Sequence, residues 1–114
     1  MSGCLFCRIA EGTIPADILF QDEQALAFRD INPQAPVHVL VIPKRHVPSL
    51  QDSTGADREL LSHLLLLCKE MAHRHGLSGA GYRVVTNVGR DAGQTVFHMH
   101  LHVLGGRPMS WPPG

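Results

Sequence analysis

The sequence predicts an α+β fold, a mainly antiparallel sheet of five strands covered on one face by one long helix. Three observations carry this expectation. Residues 97–104, FHMHLHVL, alternate with period two; a segment from about Ser53 to His75 repeats its apolar residues with helical period; and further short apolar runs are bounded by turn residues.

Taken in order, residues 17–30, DILFQDEQALAFRD, hold two apolar stretches around the polar QDEQ, which suits a β-hairpin. Pro33 and Pro36 break the chain before HVLVIP, residues 38–43, a β-branched apolar run that reads as a buried strand. Ser53 or Thr54 can cap a helix running to about His75, with Leu60, Leu61, Leu64, Leu65, Cys68, Met71 and Ala72 as its apolar stripe and Gly76 as its stop. YRVVTNV, residues 82–88, reads as a strand, GRDAGQT as a loop and FHMHLHVL as the last strand.

A length of 114 residues, with 44% hydrophobic and 18% charged residues, is that of one ordinary globular domain spanning residues 1–114. Ten basic residues balance ten acidic ones, so no basic surface is available to track a nucleic acid. No apolar run approaches a membrane span, and MSGCLFCRIAEG lacks the features of a secretory signal, so a cytoplasmic location is expected. Three cysteines in such a chain favour metal binding or burial over disulfides, and Cys68 is expected in the core. Eight histidines are the compositional oddity.

On a strand, Phe97, Met99, Leu101 and Val103 would pack under the helix, while His98, His100 and His102 would line the other face about 6.5 to 7 Å apart. Three aligned imidazoles suit either a metal site or a division of labour among nucleophile, orienter and acid, and the spacing leaves both open. A catalytic zinc held by His98, His100 and His102 is one such reading. Neither GxGxxG nor GxxxxGK[ST] occurs, so a phosphate would not rest on a Rossmann turn or a P-loop.

The run His98-Met99-His100-Leu101-His102-Val103-Leu104 resembles the hallmark of the histidine triad family, His-φ-His-φ-His-φ-φ with φ apolar. FRDINPQAPVHVLVIPKRH, YRVVTN, AGQTVFHMHLHVLGGRP and the terminal WPPG are similar to its Hint branch, the purine nucleoside phosphoramidases. The resemblance implies a short N-terminal helix and a homodimer whose two sheets join into one. It implies hydrolysis of AMP-amine phosphoramidates, or of related purine nucleotide conjugates, through a nucleotidyl-histidine intermediate. The nucleophile would be His100, with His102 beside the phosphate and His38 orienting through a proton relay. Phe6, Ile9, Phe28 and Ile31 would wall the base, Asp30 would bind the ribose, Asn87, Gly93 and Thr95 would hold the phosphate, and Trp111 would reach the partner's site. Asp30 also suits a plain turn before Asn32-Pro33.

Cys4 and Cys7 form CxxC, a spacing that can place two thiolates on one metal but needs two more ligands. Some histidine triad proteins supply them from positions that match His46 and His98, so the resemblance implies a structural zinc and no cofactor in catalysis. Competing expectations are a nucleotide- or zinc-binding adaptor with little turnover and a dinucleoside polyphosphate hydrolase. His63, His73 and His75 carry no assigned chemistry.

Overall fold

The computed structural model describes residues 3–114. Helix α1 spans Leu5–Glu11, strands β1 Ile18–Gln21, β2 Ala25–Arg29 and β3 Val37–Pro43, helix α2 Arg58–Arg74, and strands β4 Tyr82–Val85 and β5 Leu101–Gly105. The strands form one antiparallel sheet in the order β1-β2-β3-β5-β4. No helix among the described residues is long and apolar enough to cross a membrane.

Period-two alternation on the central strands feeds two cores. Ala25, Ala27, Val39, Val41, Leu101 and Val103 meet Leu64, Leu67, Cys68, Met71 and Ala72 of α2. Leu26, Phe28, Leu40 and Ile42 face the other way and meet Phe6 and Ile9 of α1. Both faces of β2 and β3 are therefore covered, and His38 falls on the α1 side with Leu40 and Ile42.

Local chemistry explains the ends of these elements. Thr54 and Asp57 form a capping box over a short 3-10 turn that leads into α2. Gly76 takes φ +75° past the helix end, where the Leu77 N–H reaches the Ala72 carbonyl at 2.9 Å. In the β1–β2 turn the Asp22 carboxylate accepts the N–H groups of Gln24 and Ala25 and meets His63 Nε2 of α2 at 2.6 Å.

Two expectations need correction. The stripe of α2 is completed by Leu67, 5% exposed, whereas Leu65 is 56% exposed, because the run of leucines at 64–67 covers every face and the sheet selects the set in phase with Leu64, Cys68 and Met71. The last strand starts at Leu101 rather than Phe97, and β4 ends at Val85, whose partner is His102. Pro43 has no N–H to give, its carbonyl is taken by the His98 ring at 2.7 Å, and the Met99 N–H turns to the Val47 carbonyl at 2.6 Å. Residues 97–100 thus leave the ladder, and Phe97 lies 57% exposed instead of under α2.

Leu64 is fully buried between α2 and the sheet. Leu64→Ala should lower the free energy of unfolding by about 2–5 kcal/mol. Urea titration followed by circular dichroism measures it, with the exposed Lys69→Ala as a reference expected within about 0.5 kcal/mol of the parent.

Candidate active site

Because residues 97–100 peel away from β5, the three alternating histidines do not form one row. Each has its own partners, and those partners assign the proton on each ring. His98, fully buried, donates from Nε2 to the Pro43 carbonyl, which leaves its Nδ1 lone pair facing inward. That Nδ1 lies 3.4 Å from Cys4 Sγ, 3.4 Å from Cys7 Sγ and 3.3 Å from His46 Nδ1, and Cys7 Sγ is 3.3 Å from His46 Nδ1. Burial and the neighbouring Cys4 push the Cys7 thiol up to about 11. Two sulfurs and two imidazole nitrogens converging with so few other partners form a set that could hold a metal ion.

His100 is 8% exposed and donates from Nδ1 to the carbonyl of His98 at 2.7 Å. Its Nε2 therefore carries a lone pair. Phe6 meets the ring edge-on at 5.0 Å between centroids, and the Thr86 hydroxyl holds the His100 carbonyl at 2.9 Å.

His102 and His38 are diagonal neighbours, Leu40 standing opposite His102 and His38 opposite Leu104. The Gln34 backbone N–H donates to His38 Nδ1 at 3.0 Å, so the proton of His38 is on Nε2. That group donates to His102 Nδ1 at 2.8 Å, leaving the His102 proton on Nε2. Burial holds both rings below the usual histidine range: His38 is lowered against the pull of Asp30, and His102 falls to about 4 with help from the neighbouring His100 and His38. Asp30, His38 and His102 also bring ligand atoms within 4.8 Å of one another. That set does not suit a cation, since the Gln34 N–H occupies Nδ1 and His38 must keep its proton on Nε2, where a metal would need a lone pair.

Phe6, Ile9, Phe28, Asp30, Ile31, Thr95, His100 and His102 line one cavity of about 310 Å³ between α1 and the sheet. The lining includes His100 and His102, each with its Nε2 outside the backbone and ring contacts described above, and the Asp30 carboxylate, in a largely apolar wall. A second cavity, about 440 Å³, opens over Cys4 and His46 and shares Leu5, Thr95 and Val96 with the first.

A family model described as HIT domain matches residues 11–109. The chain belongs to the HIT domain family. A HIT-like protein of Synechocystis sp. is 56% identical over 110 residues, 96% of either chain. The structure of a HIT family hydrolase from Legionella pneumophila superposes with a TM-score of 0.97 at 54% identity, covering 98% of this chain and 100% of that one. That of a Zn-bound histidine triad family protein from Mycobacterium smegmatis gives 0.81 at 38% identity, covering 93% and 76%.

Within this HIT domain the expected residues divide into those the fold brings together and those it does not. His38 stands behind His102, outside the cavity lining. Ile31 sits at the rim, 98% exposed, rather than in a closed wall. Asp30 forms the expected turn, its Oδ1 accepting the Asn32 N–H at 2.8 Å, while Oδ2 lies 3.4 Å from His38 Nε2, a contact the sequence did not suggest. Asn87 and Gly93 do not line the cavity, Gly93 closing a 3-10 turn at φ +80° two residues before Thr95. Trp111 is 82% exposed on the tail.

Three residues escaped the sequence reading. Buried Gln94 ties the loop before Thr95, its amide donating to the Pro48 and Val96 carbonyls while its oxygen accepts the Gly89 N–H. Gln34 and Thr86 act on the histidines through a backbone N–H and a hydroxyl. No sequence pattern marks them, since the burial of Gln94 and the contacts of Gln34 and Thr86 appear only once the chain is folded.

The lowered histidines dictate a pH dependence. A ring that stays neutral when folded but titrates near 6.5 when unfolded binds fewer protons in the native state, so stability rises with pH between the two values. Unfolding free energy should therefore fall as pH drops from about 6.5 to about 4, before Asp22 and Asp57 titrate. Urea titrations across that range check it, and His102→Gln should flatten the slope.

Proposed function

We propose that the protein hydrolyses purine nucleoside phosphoramidates of the AMP-amine type, releasing the nucleoside monophosphate through a covalent nucleotidyl-His100 intermediate. The supporting observation is the proton order of the histidines: a lone pair on His100 Nε2 and a proton on His102 Nε2, both on residues that line the same cavity. A neutral imidazole with its other nitrogen donating to a carbonyl is a nucleophile at neutral pH.

His100 Nε2 attacks the α-phosphorus, the phosphorus–nitrogen bond breaks, and the amine departs with a proton from water. The His102 Nε2–H donates to a phosphoryl oxygen as charge grows there. Water then attacks the phosphorus, the bond to His100 breaks, and the proton the water loses replaces the one the solvent gave the amine. Throughout, the Nδ1–H of His100 stays on the His98 carbonyl, so the adduct is an imidazolium and leaves as a neutral ring.

Phe6, Ile9, Phe28 and Ile31 take the purine, which covers the rim position of Ile31. Asp30 Oδ2 accepts from the ribose hydroxyls. Thr95 donates to phosphate oxygens, with Asn87 and Gly93 shaping that side of the loop. The free edge of β4, with Tyr82 and Val84 38% and 37% exposed, suits pairing with a second copy, which would bring Trp111 to the partner's cleft.

We assign zinc to Cys4, Cys7, His46 and His98. A tetrahedral ion with Zn–N near 2.0–2.1 Å and Zn–S near 2.3 Å sets N–N edges of about 3.3 Å and N–S edges of about 3.5 Å, close to the separations between these atoms. The Zn-bound relative supports that choice. The ion would hold α1 to the segment before β5 and take no part in the chemistry.

His100→Ala should lower turnover of an adenosine phosphoramidate by at least about 10³-fold while AMP binding, measured by calorimetry, stays within about three-fold. Turnover near the wild-type rate in that variant would sink the mechanism. Metal analysis of purified protein should find about one zinc per chain, absent from the Cys4→Ala, Cys7→Ala double variant and retained in His100→Ala.

A further inference from the structure

The segment Gly105-Gly106-Arg107 follows β5, and the packing explains its two glycines. A Cβ on Gly105 would stand 2.6 Å from Leu77 Cδ1, and one on Gly106, where φ is +92°, would stand 2.9 Å from Pro36 Cβ. Gly105 leaves room for Leu77, and Gly106, at a left-handed φ, lets the chain turn closely over Pro36. That turn lays Arg107 on the loop of residues 31–36, where Nε and Nη2 donate to the Gln34 carbonyl at 3.2 and 3.0 Å. Nη1 donates to the Pro108 carbonyl at 3.1 Å.

Gln34 is thereby held from both ends. Its carbonyl is gripped by the guanidinium, and its N–H is the donor that keeps His38 Nδ1 unprotonated. Elsewhere in the loop Asp30 Oδ1 holds the Asn32 N–H and Ala35 is buried, but Gln34 itself is exposed, lies between Pro33 and Pro36, which lack N–H groups, and its own side chain reaches only the Asn32 carbonyl.

We propose that Arg107 is a positioning residue for the proposed reaction, acting through the Gln34 backbone to hold His38 in the tautomer that keeps the His102 proton on Nε2, facing substrate. The claim rests on the phosphoramidase reading for its effect on rate, but not for its effect on the rings. Without the forked grip the Gln34 N–H swings off Nδ1, a proton can move to that nitrogen, and His38 then presents a lone pair to His102 Nδ1. His102 answers by carrying its proton on Nδ1, and the donor to phosphate is lost.

The test is long-range ¹H–¹⁵N correlation of ¹⁵N-histidine-labelled protein at neutral pH, which reads the protonated nitrogen of each ring, together with steady-state kinetics on an adenosine phosphoramidate. In the wild type, His38 and His102 should each appear as single Nε2–H tautomers. Arg107→Ala should shift both towards mixed tautomers and lower kcat about tenfold, with AMP affinity changed less than two-fold. Arg107→Lys, which keeps one donor, should fall between. Tautomers in Arg107→Ala indistinguishable from the wild type would overturn the proposal, as would a loss confined to KM. If Arg107→Ala does not fold, Arg107→Lys decides: a wild-type spectrum in it overturns the proposal and a partial shift supports it. A wild type with pure tautomers but no turnover would sink the functional reading alone.

Discussion

The site depends on one constraint: an imidazole has two nitrogens, and backbone groups occupy one of them on each of three buried rings. The His98 Nε2 is spent on the Pro43 carbonyl, the His100 Nδ1 on the His98 carbonyl, and the His38 Nδ1 on the Gln34 N–H. What remains is then determined, because a neutral ring has one donor and one acceptor. His98 offers a lone pair to the cysteines, His100 offers one to the cavity, and His102 inherits its donor from His38. Burial lowers His38, His98 and His102, which favours the neutral form of all three rings.

The sheet makes those backbone groups available. Carbonyls and N–H groups inside a ladder are already paired, so a histidine can be tied to the backbone only where the ladder stops. It stops in two places. Pro43 ends hydrogen bonding on the β5 side of β3, and the chain at 97–100, freed from pairing, exposes the His98 carbonyl and lets the His98 ring reach Pro43. At the other end of β3, Pro33 and Pro36 break the approach to the strand and leave the Gln34 N–H for His38. The same strand thus positions the Cys4, Cys7, His46 and His98 cluster at one end and the His38–His102 pair at the other, with His100 and the cavity between.

Much of this was legible in the sequence. The hairpin, the central strand and the Gly76 stop follow from local patterns and lie at or near the expected residues, while Thr54 caps a 3-10 turn ahead of α2, whose own N-cap is Asp57. The separation of Met99, Leu101 and Val103 from the histidines also follows, since alternation survives even where pairing does not. The cluster of Cys4, Cys7, His46 and His98 required the resemblance, because CxxC alone names only half of it. What the pattern could not show was the break before Leu101: FHMHLHVL reads as an unbroken strand, and the cause of the break lies on a neighbouring strand, in Pro43. Nor could four consecutive leucines reveal which of them faces the sheet. Gln34 and Thr86 were invisible for a different reason, in that one acts through its backbone and the other through a contact to a carbonyl fourteen residues away.

Alternation therefore does two jobs that pull against each other. It puts the histidines on one side of the chain, yet under the proposed function His100 and its neighbours must not be equivalent, or they would share one proton pattern and one ligand. The fold breaks the equivalence by ending the ladder between His100 and His102. His102, inside β5, is aligned by strand register with His38 and is set by another side chain. His98 and His100, outside it, are set by carbonyls. Had β5 begun at Phe97, the His98 carbonyl would be spent within the sheet, and His100 would have no acceptor for its Nδ1–H. A shorter strand, rather than the longer one its sequence suggests, is what makes three histidines in a row chemically distinct.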